Sequence, residues 1–566
     1  VITYYITMFY DIFIFDFLRK HYLSLFFYLF IIFSNFPLES VALPRVYGIL
    51  FDKIKTFKNE DLWDIQNNLT KMNFSGSVIS VVIIWTIIII AYGIKHHLES
   101  SLVPGYMNYI RKILYEHTIN AFKEQYTDVK AGEYLSRMLE LMRNAKDLFQ
   151  YVIGGFVPYV ISMLFSVAYL SYSDYNLGKI LLTCLFIVCL ICYYGGIYLI
   201  DKVGEREIYM NEVVNQGIQN SIDNLMNIYI NNEADNDINK NKEVEDKGRE
   251  MMTHIMFVQN VVITVSNAVV LFAYFASLYV LYTYLKKSKV STAKIIAYIL
   301  ILGNVLSDAF DITSGYIHNM IYKLGIIDSA KPFMDQIFIN KKERTAKNVI
   351  KKGDIQFKNI VFRYDKNSDE VLFDGLNLKL TGGTKIGVMG RSGSGKTTLM
   401  KMLVGLYKPE EGEILIDNVD INKMDIDYLR SQVNYVNQRT QLFEDTILYN
   451  MKYGNDITDE EIIEKLKRYK LDEVFSDLPG GVKANAGLNG GNLSGGMQKI
   501  TILMRGILKG GSIVILDEPL AGLDKKTIAK TIDMVLAETQ NKTLIVITHD
   551  NTILPYMDRV VDINNI

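Results

Sequence analysis

Apolar residues run almost unbroken for long stretches of the first 340 residues, then give way to short alternating segments. Crossing the hydrocarbon of a bilayer takes roughly 20 apolar residues in a helix. Six stretches meet or approach that length: Leu23 to Phe36, Gly76 to Gly93, Tyr151 to Leu170, Leu181 to Ile200, Phe257 to Leu285 and Ile295 to Phe310. The first is the shortest, and it reaches spanning length only if the aromatic-rich residues before it contribute. The third and fourth form a close pair about the polar turn Ser171 to Asn176, the fifth and sixth about Lys286-Lys-Ser-Lys289. About 55 residues separate the second span from the third, and the fourth from the fifth; as helix, at about 1.5 Å per residue, such intervals reach tens of ångströms beyond a bilayer. Their patterns, as in Tyr109 to Tyr115 and Glu207 to Val213, are charged and helical rather than loop-like. Asn232 to Glu250 is very polar and is read as a solvated helical stretch, not as disorder.

From Gly353 the period changes. Ile355 to Phe362 alternates like a strand, and Lys385 to Met389, Ile513 to Leu516 and Leu544 to Ile547 are short apolar runs of the buried-strand kind. The helical pattern Leu399 to Leu403 falls between them. The fold class expected is a two-domain membrane protein. An all-α six-helix transmembrane domain with long helical extensions occupies 1–340, a linker 341–352, and an α/β domain 353–566.

Composition changes this picture little. With 60 Lys+Arg against 62 Asp+Glu, nothing suggests a nucleic-acid partner. Cys184, Cys189 and Cys192 share one apolar run, which argues against disulfides or a thiolate metal site and for small lipid- or core-facing groups. Gln259, Asn260, Ser266 and Asn267 in the fifth span suit interhelical hydrogen bonds. Asp308 and Asp311, three apart on one helix face, either line a polar pathway or lie beyond the lipid. Asn68-Leu-Thr70 and Asn73-Phe-Ser75 are glycosylation triplets. The chain opens on Val1 with Met8 close behind, and no separate cleaved signal peptide is read there.

The chemistry lies in the second half. Gly390-Arg-Ser-Gly-Ser-Gly-Lys-Thr397 follows an apolar strand and opens a helix, the arrangement in which backbone N–H groups converge on phosphate oxygens. Gly390, Arg391, Ser392, Gly393, Ser394 and Gly395 form the cradle. Lys396 faces the β and γ phosphates, Thr397 offers its hydroxyl to Mg²⁺, and Thr398 adds a phosphate contact. Tyr364, upstream of the loop, is placed to stack on adenine. Val433 to Gln438 ends a strand in a glutamine able to approach Mg²⁺ and the attacking water. Ile513 to Glu518 ends in two carboxylates, Asp517 for the Mg²⁺ shell and Glu518 to deprotonate water. His549 closes the strand Leu544 to Ile547, where it can contact the γ-phosphate. The expected ligands are therefore ATP and Mg²⁺, which puts the soluble domain and the long helical intervals together on the cytosolic side. Lys286, Lys287 and Lys289 then fall on the external face, against the usual bias of basic residues.

Leu493-Ser-Gly-Gly496 completes a pattern that resembles an ATP-binding cassette exporter half-transporter over essentially the whole chain, most strongly from 353 to 566. The resemblance implies an ATPase coupled to transport, with Ser494, Gly495 and Gly496 binding the γ-phosphate held by a partner cassette. It also implies that Leu520 to Asp524 communicates between two sites and that the Tyr435 to Asn450 segment meets the membrane helices. On that view the chain works as a homodimer, or second as a heterodimer with a related chain, in contact with lipid and an unidentified substrate. Three positions depart from the family pattern: Met497 stands for glutamine, Gln498 for a basic residue, and Gly487-Leu-Asn-Gly490 for a motif with a charged pair. The alternative reading is a membrane-bound regulatory or scaffold ATP-binder with marginal hydrolysis. An importer is disfavoured by the fused membrane domain.

Overall fold

The protein is described from a computed structural model over residues 10–55, 74–124, 131–338, 346–347, 349–364, 370–438 and 440–565. Both glycosylation triplets fall outside the described residues, apart from Phe74 and Ser75 at the start of a helix. The chain forms two compact units, Val1–Thr118 with Val129–Phe338, and Ile119–Asp128 with Ile339–Ile566.

Among the described residues, the first unit contains six helices long and apolar enough to cross a membrane: α1 Tyr22–Asp52, α2 Gly76–Lys123, α3 Tyr134–Ser173, α4 Tyr175–Asp223, α5 Ala234–Lys286 and α6 Thr292–Ser329. The expected six spans are all present, and five run well beyond their apolar windows into polar sequence. In α5 the polar stretch from Asn232 is helical from Ala234 onward and largely exposed, as its composition suggested.

The first span gains its length from an unexpected side. Helix continues past Phe36 through Pro37, and a π-helical turn at Leu38–Ala42 follows before the α-helix resumes at Leu43. A proline lacks the N–H a helix interior needs, so a π turn beside it absorbs the mismatch. Asn35 and Ser40 are buried there, so polar residues at and beyond the end of the apolar stretch are packed inside the unit. The turn between the third and fourth spans is also tighter than Ser171 to Asn176. Only Asp174 leaves the helical conformation, and its carboxylate caps α4 by accepting from the N–H groups of Asn176 and Leu177, each at 3.0 Å.

Helices α3 to α6 share one apolar core built from Met163, Leu170, Leu181, Val270, Ile301 and Leu302 among others. The polar groups of α5 divide. Gln259 pairs with His318 at 2.5 Å, and Asn267 donates to Ser314 at 3.1 Å and accepts from Thr313 at 2.7 Å. Ser266 lies 3.9 Å from the Cys192 thiol. Asn260, however, is exposed, because it lies about 100° round the helix from buried Gln259. Asp308 and Asp311 also part company: Asp308 is buried and accepts from Ser162 Oγ at 2.7 Å, whereas Asp311 opens a π-helical turn and is exposed. Three residues apart on a regular helix, the two point about 60° from each other, which is enough to put one inside the unit and the other at its surface. All three cysteines are free thiols.

The second unit holds two sheets. Strands β1 Ile355–Phe362, β2 Phe373–Leu380, β4 Glu411–Ile416 and β5 Val419–Asp420 form an antiparallel sheet in the order β2-β1-β4-β5. Strands β3 Lys385–Met389, β6 Val433–Val436, β7 Ile513–Asp517, β8 Thr543–Ile547 and β9 Arg559–Asp562 form a parallel sheet in the order β6-β7-β8-β3-β9. Successive side chains of the parallel sheet enter opposite cores. Ile513, Ile515, Ile545 and Ile547 join one with helix α7 Lys396–Leu403, while Val514, Leu516, Leu544 and Val546 join the other with α8 Gly495–Leu508 and α9 Lys525–Glu538. Coverage on both faces explains why these strands read as continuous apolar runs. It also fixes where chemistry sits, since β3, β6, β7 and β8 all point their carboxyl ends to one edge.

Candidate functional site

At that edge lies a cleft of about 400 Å³ lined by Tyr364, Leu372, Ser392, Gly393, Gly395, Lys396, Thr397, Thr398, Gln438, Asp517, Glu518, Ile547 and His549. The loop after β3 needs left-handed backbone at Gly393 and Gly395, with φ of +83° and +85°. A Cβ at Gly395 would lie 2.4 Å from the Phe373 ring, so the loop can lie here only without a side chain. Gly395 also precedes the first turn of α7, whose N–H groups have no partner within the helix.

Lys396 is nearly buried, and its ammonium donates to the carbonyls of Gly390 and Arg391, both at 2.7 Å. Burial pulls its pKa down, while the carboxylates of Glu518, Asp517 and Asp562 act the other way. Thr397 Oγ1 donates to Asp517 Oδ2 at 2.8 Å, and the Tyr435 hydroxyl donates to the same oxygen at 3.3 Å. Burial raises the Asp517 pKa against those two bonds. Thr397, Asp517 and the Gln438 side chain offer oxygen donors, the kind Mg²⁺ takes, and the first two already converge.

Glu518 is a non-glycine residue with φ +49°, sparsely populated backbone of the kind that clusters at functional sites. Its N–H donates to Ile547 O at 2.9 Å, and its carbonyl accepts from Lys499 Nζ at 2.9 Å. The carboxylate accepts from Thr548 Oγ1 at 3.4 Å and lies 3.8 Å from His549 Nε2.

The sequence-derived residues therefore separate into those the fold brings together and those it does not. Gly390, Arg391 and Ser394 stand behind the cleft: the first two give carbonyls to Lys396, and Arg391 N–H bonds Asn564 at 3.2 Å. Ser494, Gly495 and Gly496 do not line the cleft. Ser494 caps α8 through the Met497 N–H at 3.3 Å and is exposed, as is Gly495. Met497 packs on the apolar core under α8, and Gln498 turns back to donate to the carbonyls of Gly490 and Leu493 at 2.9 and 3.3 Å. Tyr364 is exposed at the mouth, its hydroxyl bonded to Thr398. Sequence reasoning missed Tyr435 and Lys499, which touch the two carboxylate residues, and the apolar walls Leu372 and Ile547. Tyr435 was within reach, because it alternates with Val436 onto the same side of β6 as Val433; nothing local marked Lys499.

Comparison with known proteins adds to this geometry. Residues 373–521 match the family described as ABC transporter. A solved structure described as a bacterial Atm1-family ABC exporter with ATP bound superimposes with a TM-score of 0.80 at 17% identity, covering 96% of this chain and 93% of that one. The chain shares the fold of that exporter over nearly its whole length. A Rickettsia felis protein named "Putative export ATP-binding/permease protein" is 24% identical over 491 residues, 86% of this chain and 84% of its own length. The ATP-dependent lipid A-core flippase of Francisella tularensis is 32% identical over 224 residues, 39% of this chain and 36% of its own.

Proposed function

We propose that this chain is an integral membrane ATPase that exports a substrate by alternating access, working as a dimer with the cassette on the cytosolic side. The membrane domain is taken as 1–340, the linker as 341–352 and the cassette as 353–566. The divided nucleotide site carries the reading: the phosphate loop, Gln438, Asp517, Glu518 and His549 share one cleft, while Ser494, Gly495 and Gly496 lie outside it, the first two exposed and Gly496 partly so. A second copy turned to face the first would bring its own Ser494 to Gly496 against the γ-phosphate and close the site.

In the closed site Lys396 neutralises the β and γ phosphates and Tyr364 stacks on adenine. Glu518 takes the proton of the attacking water, Gln438 orients that water, and His549 stabilises the transferred phosphoryl group. Mg²⁺, held by Thr397, Asp517 and Gln438, would supply positive charge to the same phosphates. Exposed apolar surface supports a second copy. Met226, Tyr229 and Ile230, at the turn between α4 and α5, are 76%, 69% and 70% exposed. On the cassette, Phe443, Tyr449 and Tyr453 form a half-exposed aromatic cluster.

Met497, whose thioether joins the core where the family has an amide, favours a second reading as a scaffold that binds ATP with little turnover. Phosphate release from protein in lipid separates the two. On the export reading Glu518→Gln keeps ATP binding and lowers turnover by about 10²- to 10⁴-fold. Equal, slow rates for both proteins would refute the hydrolytic role and leave the scaffold.

A further inference from the structure

Helix α8 begins with the residues proposed to clasp a partner's nucleotide, yet its first full turn ends at a residue aimed into the chain's own site. Lys499 lies four residues after Gly495, on the same side of the helix. Its side chain runs inward, half-buried, and donates to the Glu518 carbonyl at 2.9 Å. From β8, Ile547 O holds the Glu518 N–H at 2.9 Å. The peptide groups on both sides of the Glu518 Cα are therefore fixed by two different elements. That matters because Glu518 holds φ +49°, a conformation that costs a residue with a Cβ and persists only where its surroundings over-determine it. Without Lys499 the carbonyl would keep only the long 3.4 Å bond from the Ala521 N–H, and this residue could relax toward ordinary backbone. The Cα–Cβ direction, and with it the carboxylate now set by Thr548 and His549, would swing away.

We propose that Lys499 is a positioning residue for Glu518, and that through it the helix clasping one nucleotide sets the general base acting on the other. This rests on the assignment of Glu518 as the hydrolytic base. A rotation or shift of α8 on meeting the partner's γ-phosphate moves Lys499 with it. The carbonyl it holds belongs to the residue that deprotonates water at the other nucleotide, so each clasp event is reported within one chain.

The test uses the full-length dimer in lipid nanodiscs and four variants: Lys499→Met, Lys499→Gln, Lys499→Arg and Glu518→Gln. Lys499→Met removes the donor at similar bulk. It should lower kcat by about 10²-fold, the order expected for misplacing a catalytic group by about 1 Å, with the KM for ATP within about twofold of wild type. Lys499→Arg, which still reaches the carbonyl with an N–H, should recover most of the loss. Lys499→Gln, one atom shorter, should not, and it takes the place of the methionine variant if that one fails to fold. Without nucleotide, amide hydrogen exchange in the peptide spanning 514–522 should accelerate in the methionine variant and return toward wild type in the arginine variant. Wild-type kcat or unchanged exchange in Lys499→Met would overturn the proposal. So would a loss expressed in KM, which would place Lys499 in nucleotide clasping. Wild-type turnover in Glu518→Gln would instead defeat the functional reading beneath it.

Discussion

Two glycines in the phosphate loop share a backbone conformation and differ in the space around them, which makes a matched pair of substitutions decisive. Gly393 and Gly395 have φ of +83° and +85°, so alanine at either one bears the same left-handed penalty of about 1–2 kcal/mol. A Cβ at 393 meets nothing within 4 Å, whereas at 395 it lies 2.4 Å from Phe373 Cζ and 2.9 Å from Cε1. Inserting an atom into packed surroundings costs about 1–3 kcal/mol more. Phe373 begins β2, and buried Leu376 and Leu378 along the same strand limit how far its ring can retreat. The loop then either moves off its cradle geometry or holds it at the expense of the fold. Gly395→Ala should therefore bind ATP about 5- to 150-fold more weakly than Gly393→Ala, or show the equivalent drop in unfolding midpoint. Equilibrium binding of a fluorescent ATP analogue, with thermal unfolding of the same samples, reads both. Adding Phe373→Leu should bring Gly395→Ala back to the level of Gly393→Ala and no further. Equal behaviour of the two alanine variants, or no effect of Phe373→Leu, would refute the steric argument.

Two more outcomes follow from the cassette. Tyr364→Ala should weaken ATP binding by about 1–3 kcal/mol, the usual range for a base stacked on an aromatic, while Tyr364→Phe retains affinity because the ring and not the hydroxyl meets the base. Asp417 accepts from the N–H groups of Lys351, Lys352, Gly353 and Asp354 at 2.5 to 3.1 Å. Burial alone would raise its pKa, but the four donors more than reverse this and hold it below the ordinary carboxylate value. Its contribution is thus complete above about pH 4 and is lost as the pH falls through the depressed pKa. Asp417→Ala should destabilise the cassette by about 1–3 kcal/mol at neutral pH, and the difference should shrink in acid, as followed by urea unfolding.

What could be read from the chain and what could not divides by the range of the interactions concerned. The phosphate loop, the carboxylate pair after Leu516 and the histidine after Ile547 are legible because each sits at a fixed offset from an apolar strand end, and parallel strands deliver such ends to one edge. Lys499 and the Phe373 ring were not legible. Lys499 reaches a carbonyl 19 residues away through packing of α8 under the sheet, and no local pattern encodes that. In the membrane unit the spans announced themselves by length, but hydropathy misjudged α1. The apolar stretch ends at Phe36, yet the helix continues through Pro37, and Asn35 and Ser40 are buried on it. Asp308 and Asp311 looked alike at helical spacing. The edge of the buried stripe falls between them, and spacing alone does not mark that edge.

The central claim is that two copies complete each other's nucleotide sites, and purified mixed dimers test it most directly. One dimer carries Lys396→Ala and Ser494→Phe on the same chain beside a wild-type partner; the other carries them on opposite chains. Shared sites predict that the opposite-chain dimer keeps one intact site and occludes ATP there, while the same-chain dimer has a damaged component in both sites and occludes none. Occlusion by the same-chain dimer, with none in the opposite-chain dimer, would mean that each chain holds its nucleotide alone and would contradict the account.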